Sequence, residues 1–301
     1  MKPSTKAVDM KSILIQSKGT KELARKKGRS ISLQKVIVYI LLSGWFIIAV
    51  LPFFWTFLTS IKKPVDAFAM PPHWIFEPTM KAYKTLWLEG DFSLYLQNSV
   101  IVTVGSVIIS LAIGSLAGYA LARYSGKSSF YLLLMALIFR ALPRMVFVLP
   151  FYYIAKMLGL YDTKLMLILV MVAINQPFTI WMLKSFFMGI PKSLEEAAMV
   201  DGCTRFQAFR YVIVPIMWPG VITSGIFTLL LAYNEYLIPK ALTATHAVTM
   251  PVAIAQFGAE NIKYWSVMAA GAISISLPII LVVIFAQKYL VKGLTAGAVK
   301  E

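Results

Sequence analysis

The chain has 301 residues, 59% of them hydrophobic and 14% charged, with a mean hydropathy of +0.75 and a formal net charge of +16. A water-soluble domain carries about 25% charged residues and cannot bury so large an apolar fraction, so the composition excludes a soluble fold. It also excludes a nucleic-acid partner, because the Lys and Arg lie in a tail and short loops rather than on one folded basic face.

Residues 1–35 form a polar segment holding ten Lys and Arg. Such a tail is expected to be disordered or to lie on anionic lipid, where each cation contributes about 1 kcal/mol. Six apolar runs follow, near the length of about 20 residues that a spanning helix needs. They cover 36–59, 99–123, 130–153, 165–185, 217–237 and 265–290. The first is too long for the apolar part of a signal peptide and lacks a small-residue cleavage pattern, so it reads as a retained anchor. The predicted fold is an all-α integral membrane protein: a six-span domain over 36–290, between the tail 1–35 and a tail 291–301.

The loop 61–98 contains Pro64, Pro71, Pro72 and Pro78 with Phe68, Trp74 and Phe76, and is expected to pack on the membrane surface. Arg140 and Arg144 lie four apart around Pro143 in the third run, which places them on one helical face. Asn175-Gln176-Pro177 interrupts the fourth run and Asn234-Glu235 lies late in the fifth. Polar groups inside spans are costly, so these six residues are candidates for a solute pathway. The other reading is structural, with polar side chains pairing or satisfying carbonyls that Pro143 and Pro177 release. Tyr233 and Tyr236 offer aromatic faces to such a pathway, or belong to the interfacial aromatic belt.

Between the fourth and fifth runs, 191–216 carries acids, arginines, alanines and a glycine. Ser193 with Glu196 and Thr204 with Gln207 have capping-box spacing, so two short helices are expected. Gly202 is placed to end the first helix in a left-handed cap, and Pro215 to mark the boundary before the next span. Leu194, Ala197 and Ala198 are expected on one flat face, with Glu195, Glu196 and Asp201 at its edge. A helix lying on lipid headgroups is one explanation. An acidic, Ala-rich helix differs from the basic, bulky pattern of that class and suits docking into a protein groove. Loop cations number nineteen on the side of this segment and both termini, against eight on the other, so both termini and 191–216 are expected in the cytoplasm.

His73 and His246 lie far apart in polar loops and read as solvated residues rather than a metal pair. The single cysteine, Cys203, excludes an internal disulfide and any metal site made of Cys alone.

Glu196-Ala197-Ala198, three residues, Gly202, nine residues and Val212-x-Val214-Pro215 together resemble the EAA motif of ABC importer permeases. The usual Ile-x-Leu-Pro ending is here Val-x-Val-Pro. Gly118-Tyr119-Ala120-Leu121-Ala122-Arg123, Gly159-Leu160-Tyr161-Asp162-Thr163, Asn234-Glu235, Gln287 and the run 293–300 are similar to the carbohydrate branch, of the maltose-type second permease. The resemblance implies a type I importer permease in a bacterial inner membrane. It would pair with a second permease subunit as a heterodimer, with two ATPase subunits and with an extracytoplasmic sugar-binding protein, toward which the loop 239–264 would reach. Residues 193–201 would be the coupling helix, with Glu196 as the polar anchor, Ala197 and Ala198 at the contact, and Gly202 turning the chain. ATP and Mg²⁺ would be used by the ATPase, this chain binding no cofactor. It contains no GxxxxGK[ST] phosphate loop. The competing class is an ion-coupled secondary transporter, which usually shows inverted repeats and mid-membrane carboxylates. No repeat is evident here, and Glu235 is the only acid within the six runs. Intramembrane hydrolysis is excluded by the absence of HExxH and GxSxG.

Overall fold

The computed structural model describes residues 33–124, 126–257 and 264–296, with side chains through residue 289. Apart from residues 33–35, the basic tail lies outside the described residues, as does the C-terminal end 297–301. Among the described residues every regular element is helical: α1 (Leu33–Ser60), α2 (Pro64–Ala67), α3 (Lys81–Lys84), α4 (Phe92–Arg123), α5 (Lys127–Ala141), α6 (Met145–Met157), α7 (Lys164–Met188), α8 (Lys192–Val200), α9 (Arg205–Ala208), α10 (Val214–Tyr233), α11 (Leu237–Leu242), α12 (Met250–Gln256) and α13 (Trp265–Ala296). π-turns at Thr85–Glu89 and Phe209–Ile213 extend α3 and join α9 to α10.

Among the described residues five helices are long and apolar enough to cross a membrane: Leu33–Ser60, Phe92–Arg123, Lys164–Met188, Arg205–Tyr233 and Trp265–Tyr289. The pair α5 and α6, bent by 93°, passes the same test only when its two halves are taken together, which makes six if the pair counts as one span. The sequence pattern predicts one helix over 130–153, but Leu142 is held extended (ψ 143°) before Pro143, and the helix restarts at Met145. Steric conflict between a proline ring and the preceding residue's helical conformation accounts for the break.

The chain divides into two units at Phe54 and Trp55. The first holds most of α1, whose 28 residues span about 42 Å at 1.5 Å per residue.

In the second unit the spans pack through small residues. A Cβ added at Gly105 would meet Ile168, one at Gly114 would meet Thr179, and one at Gly118 would meet the Lys184 backbone nitrogen. Residue numbers rise together across these contacts, so α4 and α7 run parallel. Gly220 abuts Phe186, and Gly225 abuts Leu111, so α10 runs antiparallel to both. Thr223 donates to Tyr289 O (3.1 Å) and Tyr233 to Ile275 O (3.1 Å), so α13 is antiparallel to α10. Ser99, Thr103, Ser106, Ser110, Gly114 and Gly118 line the buried face of α4. In lipid the apolar surroundings give no hydrophobic drive between helices, and small residues let backbones approach closely enough for packing to supply it. Thr179 and Thr228 close the seam with a hydroxyl pair at 2.9 Å.

Pro215 does not separate a loop from a span as expected. The helix continues from Arg205, and the π-turn at Phe209–Ile213 immediately precedes the proline, which sits in the first turn of α10. A proline has no N–H to give the ladder, and the wider π-turn takes up the disruption without a break.

Candidate functional site: a clamped short helix and a cleft at the bent helix pair

α7 ends at Met188, and Gly189-Ile190-Pro191 turns the chain into α8. The expected Ser193 capping box does not form. α8 starts one residue earlier, at Lys192, with Pro191 at the cap position and no side-chain cap bond. The second capping box is present, Thr204 Oγ1 accepting from Gln207 N and Gln207 Oε1 from Thr204 N. Gly202 adopts φ +91°, and Cys203 N and Gly202 N donate to Ala198 O (3.0 Å) and Met199 O (3.1 Å). These two bonds form a Schellman motif, which satisfies the last carbonyls of α8.

One face of α8 is fastened to the bundle. Glu195 is buried and accepts from Arg123 Nε at 2.7 Å and from the Tyr119 hydroxyl. Arg123 Nη1 also donates to Phe187 O (3.2 Å) and Ile190 O (3.3 Å), at the C-terminal end of α7. The guanidinium therefore joins three elements: the end of α4, the end of α7 and the start of α8. A cation is favoured there because helix C-termini present unpaired carbonyls and the negative end of the dipole. Tyr119 stacks its ring near Phe187 and Phe209, with centroids at 5.7 and 4.7 Å.

The opposite face is open: Ser193, Glu196, Ala197 and Val200 are exposed, as is Asp201 at the C-terminal cap. The sequence pattern grouped Leu194, Ala197 and Ala198 together. The structure divides them, with Ala198 buried at 8% exposure beside Glu195 and Leu194 and Ala197 outward. The reason is the Glu195 anchor, which rotates α8 so that positions 195 and 198 face the bundle.

Arg140 and Arg144 do not share a helical face, because the bend separates them. Both nevertheless line a cleft of about 270 Å³ with Phe139, Phe147, Phe151 and Pro177. Arg144 pairs with Glu235, which is buried in the turn after α10. Arg140 lies over the Phe178 ring at 4.7 Å, and its Nη1 has no hydrogen-bond partner among the described residues. Pro177 has no N–H for the Ala173 carbonyl one turn earlier, and both residues are in the cleft wall. Asn175 and Gln176 lie instead toward the α4 seam. Gln176 donates to Ser110 O (3.3 Å), and Asn175 is fully buried with neither amide atom partnered among the described residues. Asn234 is exposed and donates to Leu230 O (2.8 Å), apart from these groups.

At the opposite end of the bundle, Asp162 adopts a left-handed φ of +59° and accepts four backbone bonds at 3.0 Å, from Ala244, Thr245, His246 and Ala247. Burial pushes the Asp162 carboxyl up, but these N–H donors outweigh it and hold the group well below the usual carboxylate range. Asn98 Nδ2 donates to His246 O and Val248 O, both at 2.9 Å, and Ser99 accepts from Met250 N (2.8 Å). The segment 243–250 is thus tied down from two sides. α12 follows, and residues 258–263 lie outside the described residues.

Sequence reasoning missed Glu195, Tyr119 and Arg123 as a unit. Arg123 and Tyr119 counted as part of the Gly118–Arg123 run and Glu195 as an edge charge of the short helix, with nothing in the sequence to link them. No group of three or more metal-ligating side chains occurs among the described residues.

Comparisons with known proteins give the family. Residues 110–296 match the profile of the family described as "Binding-protein-dependent transport system inner membrane component". The chain is 38% identical over 257 residues to the trehalose transport system permease protein SugB of Mycobacterium tuberculosis, covering 84% of this chain and 93% of that one. It is 34% identical over 259 residues to the diacetylchitobiose uptake system permease protein DasC of Streptomyces coelicolor, covering 85% and 93%. Its fold superposes with TM-score 0.69 and 22% identity on a chain from the crystal structure of a bacterial ABC transporter involved in the import of the acidic polysaccharide alginate, covering 87% and 98%. With the profile spanning more than half of its length and relatives above 30% identity along most of it, the chain belongs to the family of binding-protein-dependent transport system inner membrane components, the permeases of ABC importers.

Proposed function

We propose that this chain is one of two different permease subunits in an ATP-driven carbohydrate importer of a bacterial inner membrane. The relatives named for trehalose and diacetylchitobiose uptake support the substrate class. The excess of loop Lys and Arg on the side of α8 supports an orientation with α8 and both termini in the cytoplasm. The partners are a second permease subunit, two ATPase subunits, an extracytoplasmic sugar-binding protein and membrane lipid. ATP and Mg²⁺ act in the ATPase, and this chain binds no cofactor. Family membership removes the support for an ion-coupled secondary transporter.

The observation that carries this reading is the division of α8 into a clamped face and a free one. Tyr119 and Arg123 fix Glu195 to the ends of α4 and α7, so a push on α8 reaches two spans directly. Glu196, Ala197 and Val200 point away and offer a small, flat surface with one charge to an ATPase groove. Asp201 and Gly202 form the turn after α8, and Pro215 sits in the first turn of α10 beyond the π-turn. The cleft of Arg140 and Arg144, with Glu235 behind it, forms part of the solute pathway, where a bent span and a proline-released carbonyl expose polar groups.

The test is Glu196→Lys in the assembled transporter. Uptake and transport-coupled ATP hydrolysis are expected to fall at least tenfold while the permease still inserts and pairs with its sister subunit. Unchanged ATPase association and uptake in that variant would remove α8 from the docking role.

A further inference from the structure

Lys62 follows the end of α1 by two residues and is 2% exposed, the largest fully buried side chain among the described residues. Its ammonium donates to His73 O at 2.7 Å and lies 4.9 Å from the Trp55 ring and 4.8 Å from the Phe76 ring. One carbonyl and two ring faces hold a cation in place without neutralising it. The nearby acids are engaged elsewhere. Glu77 pairs with Lys63 at 2.6 Å, which raises the Lys63 pKa and lowers that of Glu77, and Asp66 faces His73 at 3.0 Å. Among the described residues no carboxylate lies within ion-pair distance of Lys62 or Lys81.

Lys62, Lys63 and Lys81 line one cleft of about 370 Å³, together with Thr79, Thr85 and Ser266. Ser266 is 2% exposed, and its Oγ has no hydrogen-bond partner among the described residues. It lies in the first turn of α13, a 32-residue helix whose N-terminal end favours a negative charge. The cleft volume falls within the range of about 300–1,000 Å³ of small-ligand sites. Lys62 and Ser266 both stand at span ends, which sets the cleft at the lipid–water boundary. Trp55 and Trp74 meet edge to face nearby at 5.3 Å, as interfacial aromatics do.

We propose that this cleft binds a phosphate anion, that of an anionic phospholipid headgroup. Three lysines line the cleft, and against them stand Glu77, paired with Lys63, and Asp66, so the field beside a buried hydroxyl and a helix N-terminus stays positive. A phosphodiester supplies the missing acceptors and charge at the depth where bilayer phosphates lie. The site is independent of the α8 reading, since it stands at the other end of the spans.

The experiment uses the assembled transporter in nanodiscs made from equal parts of phosphatidylglycerol and phosphatidylcholine, extracted gently and examined by native mass spectrometry. The wild type is expected to retain phosphatidylglycerol several-fold over phosphatidylcholine. Ser266→Ala with Lys81→Gln, which leaves the Lys62 clamp intact, is expected to abolish that preference without loss of assembly. In lipid-depleted detergent, inorganic phosphate alone raising the melting temperature of the wild type but not of the double variant would support the phosphate site and assign it to free phosphate. Equal lipid retention in wild type and double variant, with no phosphate effect, would overturn the proposal.

Discussion

Glu195→Ala removes the carboxylate that fastens α8 to the bundle. The side chains of Arg123 and Glu195 are 14% and 11% exposed, and the pair is closed at 2.7 Å. Breaking one partner of a buried ion pair costs about 3–5 kcal/mol. The low end, about 3 kcal/mol, applies because Arg123 keeps the Phe187 and Ile190 carbonyls and stands close enough to the bundle end for water to reach it. That shifts the ratio of attached to detached α8 roughly 150-fold. Tyr119→Phe removes one hydrogen bond to the same carboxylate, about 1.5 kcal/mol, and gives about a tenfold shift. The assay is hydrogen exchange by mass spectrometry on peptides covering 192–203, in the assembled transporter. Exchange there should accelerate in the order Glu195→Ala, Tyr119→Phe, wild type, while ATP hydrolysis continues and uptake falls. Wild-type exchange in Glu195→Ala, or faster exchange in Glu196→Ala than in Glu195→Ala, would refute the assignment of the clamp to Glu195.

Three further outcomes follow from local geometry. Gly118→Ala places a Cβ 3.0 Å from the Lys184 backbone nitrogen, which cannot rotate away, so thermal unfolding of the detergent-solubilised transporter should show a loss of about 1–3 kcal/mol. Gly202→Ala meets no neighbour but must hold φ +91°, a left-handed strain of about 1–2 kcal/mol, and should speed exchange at 198–203 without changing membrane insertion. Because the folded Asp162 carboxyl is held below its unfolded value of about 3.9, its stabilisation of 243–247 is complete above that pH and is lost as pH falls toward the folded value. Amides 244–247 should therefore lose protection below about pH 4 in the wild type, and Asp162→Asn should expose them already at neutral pH.

Much of the fold was legible because its signals are local. Spanning length, the Gly202 cap and the Thr204 box each depend on residues within four positions of one another or on a run of composition. The same locality explains the misreadings. Proline at 143 breaks a span whereas prolines at 177 and 219 leave theirs helical, and a window of apolar residues does not distinguish these cases. Ser193 and Glu196 have capping spacing, yet Pro191 takes the cap position, and the helix is oriented by a residue that no local pattern singles out.

The sequence by itself determined that the chain has about six apolar runs of spanning length and roughly where they lie, since burial in lipid selects composition along the chain. Only the tertiary structure decided which face of α8 is anchored and which is free. Glu195 meets Arg123 and Tyr119 across 72 and 76 residues, and Asp162 gathers amides 82 to 85 residues away. Such partners are chosen by how α4 and α7 pack in parallel and by where their ends meet, which is set by close contacts at Gly114 and Gly118 between helices distant in sequence. Hydropathy reports what each segment is dissolved in, and only packing reports what each polar group is bonded to.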